Sequence, residues 1–172
     1  SAAVATVHTT YLWDGLMAFI YDQQKIASFQ SVFAGYVERK HCVVFPFART
    51  GIYSVLKNLE LPEGSLVIMP PITIKPILDV VLHLKLIPVF VDIDLETMDV
   101  NTDLLAEAIT PKTKAIMLAH TLGNPFDVDA IKALCEKHDL WLIEDSCDAL
   151  GSTYKGGKTG SFGDTATVSF YP

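Results

Sequence analysis

The stretch Trp141–Pro172, WLIEDSCDALGSTYKGGKTGSFGDTATVSFYP, holds the residues best suited to chemistry. An apolar run, Trp141–Ile143, leads into two carboxylates, Glu144 and Asp145. A loop with Gly157, Gly160 and Gly163 follows, then a second apolar strand with one hydroxyl, Ser169, near its end. A carboxylate at the end of a buried strand is costly unless it meets a cation or a donor. For Asp145 the candidates are Mg²⁺, a lysine, or the protonated ring nitrogen of a cofactor, set against a structural role in capping the next loop.

Two nucleotide readings fail on spacing. WLIED and Gly157-Lys158-Thr159 look like the two halves of a P-loop nucleotidase. The loop needs a glycine five residues before Gly157, where Ser152 stands, and the phosphate loop should precede the acidic strand. Nor do Gly157, Gly160 and Gly163 spell a dinucleotide fingerprint between a strand and a helix. His8, His41, His83 and His138 fall on loops or helix flanks and read as solvated or structural. His120 sits at a strand end, but no partners at metal-ligand spacing accompany it, so no metal site is expected.

These residues need a scaffold. The 172 residues are 50% hydrophobic, enough for one domain with a sizeable core. Net charge is −7, which argues against a nucleic-acid or anionic-membrane footprint. Mean hydropathy is +0.33 with 19% charged residues, so more protein is expected to cover part of the surface. Cys42, Cys135 and Cys147 have no CxxC spacing and read as free thiols in a reducing compartment. With no signal peptide and no long apolar run, the expected location is the cytoplasm.

Residues 1–25 read as an arm, apolar and aromatic over Tyr11–Tyr21, lying on the core or on a partner subunit. From there the chain alternates. Helical spacing predicts a helix from Ile26 to about Arg39, then a strand at Cys42–Phe45. Thr50 is expected to cap a helix, Leu66–Met69 is a strand, and Thr73 starts a helix with Pro76 in its first turn. Ile87–Asp92 is a strand, Thr102 caps a short helix, and Lys114–Ala119 is a strand. Asp127 caps a helix, and Leu140–Ile143 and Thr165–Phe170 are the last strands. Solidly apolar strands alternating with amphipathic helices mean a mostly parallel sheet covered on both faces, a three-layer αβα sandwich. Ligands in such sheets bind beyond the carboxyl ends of the strands, where Asp145 and Ser169 fall.

IEDSCDALGS, KTGSFGD and ATVSFYP, with FQSVFAGYVERKH, IPVFVDID and ITPKTKAIMLAHTLGNPFD, resemble the DegT/DnrJ/EryC1/StrS family of sugar aminotransferases. That family depends on pyridoxal 5'-phosphate (PLP) and has the aspartate-aminotransferase type I fold. The resemblance covers about Ile26 to Pro172. HTLGNPFD and EDSCDALGS look most like the branch of CDP-4-keto-6-deoxyglucose 3-dehydratases. The resemblance implies that Asp145 bonds the pyridine nitrogen and keeps it protonated. It places Asp148 beside the ring's phenolic oxygen, Ser169 on the phosphate, and Arg49 and Thr50 at a helix start that holds the phosphate.

There are departures. The usual Ser-Gly-Thr before that helix reads Phe47-Ala48-Arg49, and the aromatic that stacks on the ring falls at Ile74. The family's Schiff-base lysine, histidine in the dehydratase branch, is expected just after Pro172, so no catalytic residue is expected within these residues. They read as the N-terminal part of the PLP-binding large domain, without the small C-terminal domain. A later strand of the family fold inserts beside the first one, so its loss should leave a gap in the sheet or force a rearrangement. The implied activity is amine transfer from an amino acid to a nucleotide-linked keto-sugar, by a homodimer. The alternatives are sugar 3-dehydration and a non-catalytic relative that keeps the sheet and loses the chemistry.

Overall fold

A computed structural model of the chain describes residues 2–6 and 23–170. Tyr11–Tyr21, the heart of the expected arm, lies outside the described residues, as does the end of SFYP. The strands are β1 (Ala2–Thr6), β2 (His41–Phe45), β3 (Leu66–Met69), β4 (Ile87–Phe90), β5 (Thr113–Ala119), β6 (Trp141–Asp145), the short pair β7 (Thr153–Tyr154) and β8 (Gly157–Lys158), and β9 (Thr165–Ser169). The helices are α1 (Gln23–Tyr36), α2 (Ala48–Asn58), α3 (Lys75–His83), α4 (Thr102–Ala108) and α5 (Val128–His138).

Seven strands form one sheet in the order β2-β1-β9-β6-β5-β3-β4, and every pair in it is parallel. Side chains alternate between its faces. Ile68, Ile116, Leu118 and Leu142 pack with Leu105 of α4 and Ile131 and Cys135 of α5 on one face. Val67, Met69, Met117 and Ile143 pack with Ile52 and Leu56 of α2 and Ile77 and Val81 of α3 on the other. Val168, two residues beyond Ala166 (the partner of Glu144), meets Phe33 and Val37 at α1, which adds α1 to the α4/α5 layer. The sandwich therefore has three layers, as the alternation predicts.

Several boundaries differ from expectation. Helix α1 ends at Tyr36, not Arg39, and starts three residues before Ile26, so the arm's boundary at residue 25 falls inside it. Glu38 takes a left-handed conformation (φ 57°), and the Arg39 N–H returns to Ala34 O at 2.8 Å. That helix-ending pattern turns Arg39 off the helix axis and into the sheet. Thr50 and Thr102 are not caps and Thr73 does not start a helix: the N-cap residues are Phe47, Asn101 and Ile74. Asp127 caps α5 as expected, accepting from Ala130 N–H at 3.2 Å. Strand β4 stops at Phe90, short of Asp92. Strand β6 runs to Asp145, because pairing with Ala119 and Thr167 carries both carboxylates into the ladder.

The gap expected beside the first strand is filled. Strand β1 lies between β2 and β9, with Ala2–Thr6 opposite His41–Phe45 on one side and Thr165–Ser169 on the other. The start of the expected arm is thus an interior strand.

Candidate functional site

Glu144 and Asp145 are neighbours in a buried strand, so they point to opposite faces. Asp145 follows Ile143 and Met117 onto the α2/α3 face; Glu144 follows Leu142 onto the α1/α5 face. The two carboxylates that look alike in the sequence therefore do different things.

Asp145 is half-buried at the carboxyl end of β6. Its Oδ1 accepts the Cys147 N–H at 3.1 Å and lies 3.5 Å from Thr167 Oγ1, at the outer limit of a hydrogen bond. Neither bond uses Oδ2. The carboxylate borders a gap of about 10 Å³ lined by Met69, Pro70, Thr73 and Ala119. Burial pushes the Asp145 carboxyl up from its ordinary value; the Cys147 thiol and N–H and His120 oppose the rise, and Asp148 adds to it. An anion so placed is stabilised by a cationic partner.

Glu144 is fully buried and satisfied by protein alone. Its Oε1 accepts from Gly163 N–H (2.6 Å), Phe162 N–H (2.7 Å) and Arg39 Nη2 (3.0 Å). Its Oε2 accepts from Gly160 N–H (2.8 Å) and faces His120 Nε2 (2.9 Å). Burial alone would raise the Glu144 pKa, but the bonds from His120, Gly163 and Gly160 win and hold it below the usual carboxylate range. Arg39 also donates to Gly160 O and Gly163 O, both at 2.6 Å. Gly163 passes so close to β6 that a Cβ there would stand 2.7 Å from Leu142 O. The glycine loop is thus folded around a buried ion pair rather than around a phosphate.

The remaining expected residues surround the sheet's carboxyl end. Ser169 is half-buried as the last residue of β9. Asp148 is exposed in the turn after β6. Arg49 and Thr50 lie in the first turn of α2, whose N-cap, Phe47, offers no side-chain hydrogen bond to that turn. Such a turn has backbone N–H groups to offer an anion. The Arg49 guanidinium lies 4.1 Å from the Phe47 ring centroid and lines a separate groove with Tyr53, Asp79 and His83 between α2 and α3. Ile74, the N-cap of α3, is 61% exposed. Asp145 and Thr73 share one hollow; Arg49 belongs to another.

Sequence reasoning missed Arg39, Glu144 and the partner of His120. A signal existed: strand alternation puts Glu144 opposite Asp145, and the chain has only two arginines to neutralise it. Among the described residues, no group of three or more His, Cys, Asp or Glu could hold a metal ion.

A three-layer parallel sheet with an acid at one strand end and an uncapped helix start after another has the form of a cofactor-dependent transferase domain. The DegT/DnrJ/EryC1/StrS aminotransferase family model matches residues 17–172, and the chain belongs to that family. It is 56% identical over 87 residues to the lipopolysaccharide biosynthesis protein RfbH of Salmonella typhimurium, covering 51% of this chain and 20% of that protein. It is 47% identical over 117 residues to the dTDP-4-dehydro-2,6-dideoxy-D-glucose 3-dehydratase of Saccharopolyspora spinosa, covering 68% and 25%. A Streptococcus pneumoniae protein described as a sugar aminotransferase, solved in its PLP form, superposes with a TM-score of 0.84 at 28% identity, covering 96% of this chain and 47% of that one. The chain thus spans less than half the length of each.

Proposed function

We propose that this chain forms the cofactor-binding floor of a PLP-dependent enzyme that transfers an amino group to a nucleotide-linked keto-sugar. The observation that carries the reading is Asp145. It is a carboxylate at the strand end, bordering the gap lined by Met69, Pro70 and Thr73, its pKa raised by burial, and therefore in need of a cation. A protonated pyridine nitrogen is a cation that donates one hydrogen bond, which a strand-end carboxylate accepts, so the donor chemistry fits the group. Bound there, PLP supplies an electron sink for charge developing on a substrate carbon.

The chain's residues divide the remaining work. Asp145 holds the proton on the ring nitrogen, and the Cys147 N–H keeps the carboxylate's orientation. The first turn of α2, with Thr50 and Arg49, and the Ser169 hydroxyl are assigned to the phosphate. Asp148 borders the ring's phenolic oxygen, and Ile74 covers a ring face as an aliphatic substitute for an aromatic. The substrates are a nucleotide-linked keto-sugar and an amino-acid donor. The enzyme acts as a cytoplasmic homodimer, a reading supported by exposed apolar residues on α1 such as Val32. Among the described residues no helix is long and apolar enough to cross a membrane.

A second reading, loss of the sugar's 3-hydroxyl, is favoured by the likeness to a 3-dehydratase at 47% identity. Incubating the full-length protein with PLP, an amino acid and a nucleotide-linked 4-keto-sugar separates the two. Amine transfer yields an amino sugar and a 2-oxo acid; elimination yields a 3-deoxysugar, free ammonia and the 2-oxo acid, the amino acid supplying the two electrons. The Asp145→Ala variant should lose PLP affinity and activity together. A protein that fails to bind PLP in an absorbance titration would refute both readings.

A further inference from the structure

We propose that Arg39, Glu144 and His120 form a positioning network that fixes the Asp145 carboxylate from the opposite face of the sheet. The inference rests on the assignment of Asp145 to the cofactor's ring nitrogen. Asp145 itself is held by the Cys147 N–H and thiol and by a contact to Thr167 Oγ1 at 3.5 Å. Its neighbour Glu144 is held by five contacts, all at 3.0 Å or less. Consecutive residues of a strand share one peptide plane, so anchoring Glu144 fixes the depth and rotation of Asp145.

The network reaches the same peptide by a second route. The His120 N–H donates to Asp145 O at 3.0 Å, while its ring faces Glu144 at 2.9 Å. An ionised Glu144 only accepts, so Nε2 carries the proton that joins them. The ring is wholly buried and stacks on Phe126, with centroids 4.3 Å apart and planes 3° from parallel. Beyond Asp145, the Ser146 N–H is fixed to Thr167 O at 2.8 Å. Arg39 brings in α1, since its guanidinium bonds Glu144 and the two carbonyls of the glycine loop that leads into β9 and Ser169. The groups facing Asp145 are then Cys147, Asp148, Thr167 and His120, and His120 lowers the pKa of the Asp145 carboxyl.

A network that positions through hydrogen bonds differs measurably from one that only packs. His120→Gln keeps an N–H donor toward Glu144 and loses the stack on Phe126; His120→Phe keeps the stack and loses the donor. The full-length protein loaded with PLP carrying ¹⁵N at the ring nitrogen reports the proton shared with Asp145 through that resonance. His120→Phe is expected to move the resonance toward neutral pyridine and weaken PLP binding about tenfold, the scale of coupling within one network. His120→Gln should stay near the parent. Arg39→Lys, which keeps the charge but not the three-way fork, should move the resonance in the same direction as His120→Phe, and it decides the matter if His120→Phe does not fold. If His120→Phe and Arg39→Lys leave the resonance in place, or if His120→Gln shifts it as far as His120→Phe, the proposal is overturned. Asp145→Ala separates the levels. A resonance unmoved by that variant removes the Asp145 assignment itself, whereas one moved by Asp145→Ala alone removes only the network.

Discussion

Among the described residues, the one buried carboxylate oxygen without a hydrogen-bond partner belongs to Asp99. It is buried, its Oδ2 accepts from Asn124 at 2.7 Å, and its Oδ1 has no partner. Burial pushes its pKa up to about 6, with His120 opposing the rise. The folded state therefore holds a proton that the unfolded chain releases near pH 4. Its stability contribution is fully present below that value and is lost as pH rises through about 6. The Asp99→Asn variant should accordingly be more stable than the parent at pH 7, with the gap closing toward pH 4. Urea midpoints measured from pH 4 to 7 check this; a constant gap would mean that Asp99 does not titrate in that window. At this scale the sequence exposed the residues that sit at strand ends, Asp145 and Ser169, because position alone marks them. Arg39, Glu144 and His120 were hidden for the same reason that they matter: each is buried, and its meaning lies in a partner 24 to 105 residues away.

Elements were legible where the apolar period was strong, and less so at their ends. All five described α-helices and the strands β2–β6 and β9 fall where periodicity puts them. The helix starts expected at Thr50, Thr73 and Thr102 were displaced by one to three residues. There the path out of the preceding strand or turn, not the hydroxyl, decides where helical geometry begins. Asp127 is the case where both agree. Its Oδ1 caps Ala130 N–H and also accepts the Tyr154 hydroxyl at 3.0 Å, tying α5 to the β7–β8 pair. Replacing it with alanine should cost about 1–2 kcal/mol of unfolding free energy in chemical denaturation. Tyr154→Phe removes only the tether and should cost less. If the two variants cost the same, the cap contributes nothing and the tether carries the effect.

At the scale of the whole molecule, the sheet is continuous because β1 stands at its centre-left between β2 and β9. Nothing in AAVAT advertises this, since small residues give a weak β signal and almost no periodicity. The position is determined by what surrounds it: two parallel strands whose facing N–H and C=O groups need partners. The far edge is managed differently, by Pro88 within β4, which removes a donor from an edge strand. A variant lacking residues 1–22 would turn the inner sides of β2 and β9 into new edges. Their amides over Cys42–Phe45 and Ala166–Ser169 should then lose hydrogen-exchange protection, while β3 and β5, paired on both sides, keep theirs. Because β9 also carries Ser169, PLP affinity should fall with that protection while the Asp145 ring-nitrogen signal stays unchanged: β6 is held by β5, by the Glu144 network and by the side of β9 that faces away from β1. Unchanged exchange in β2 and β9 would mean that the slot closes without β1. Loss of protection spreading to β5 would mean that the seven strands unfold as one unit, with no separable edge.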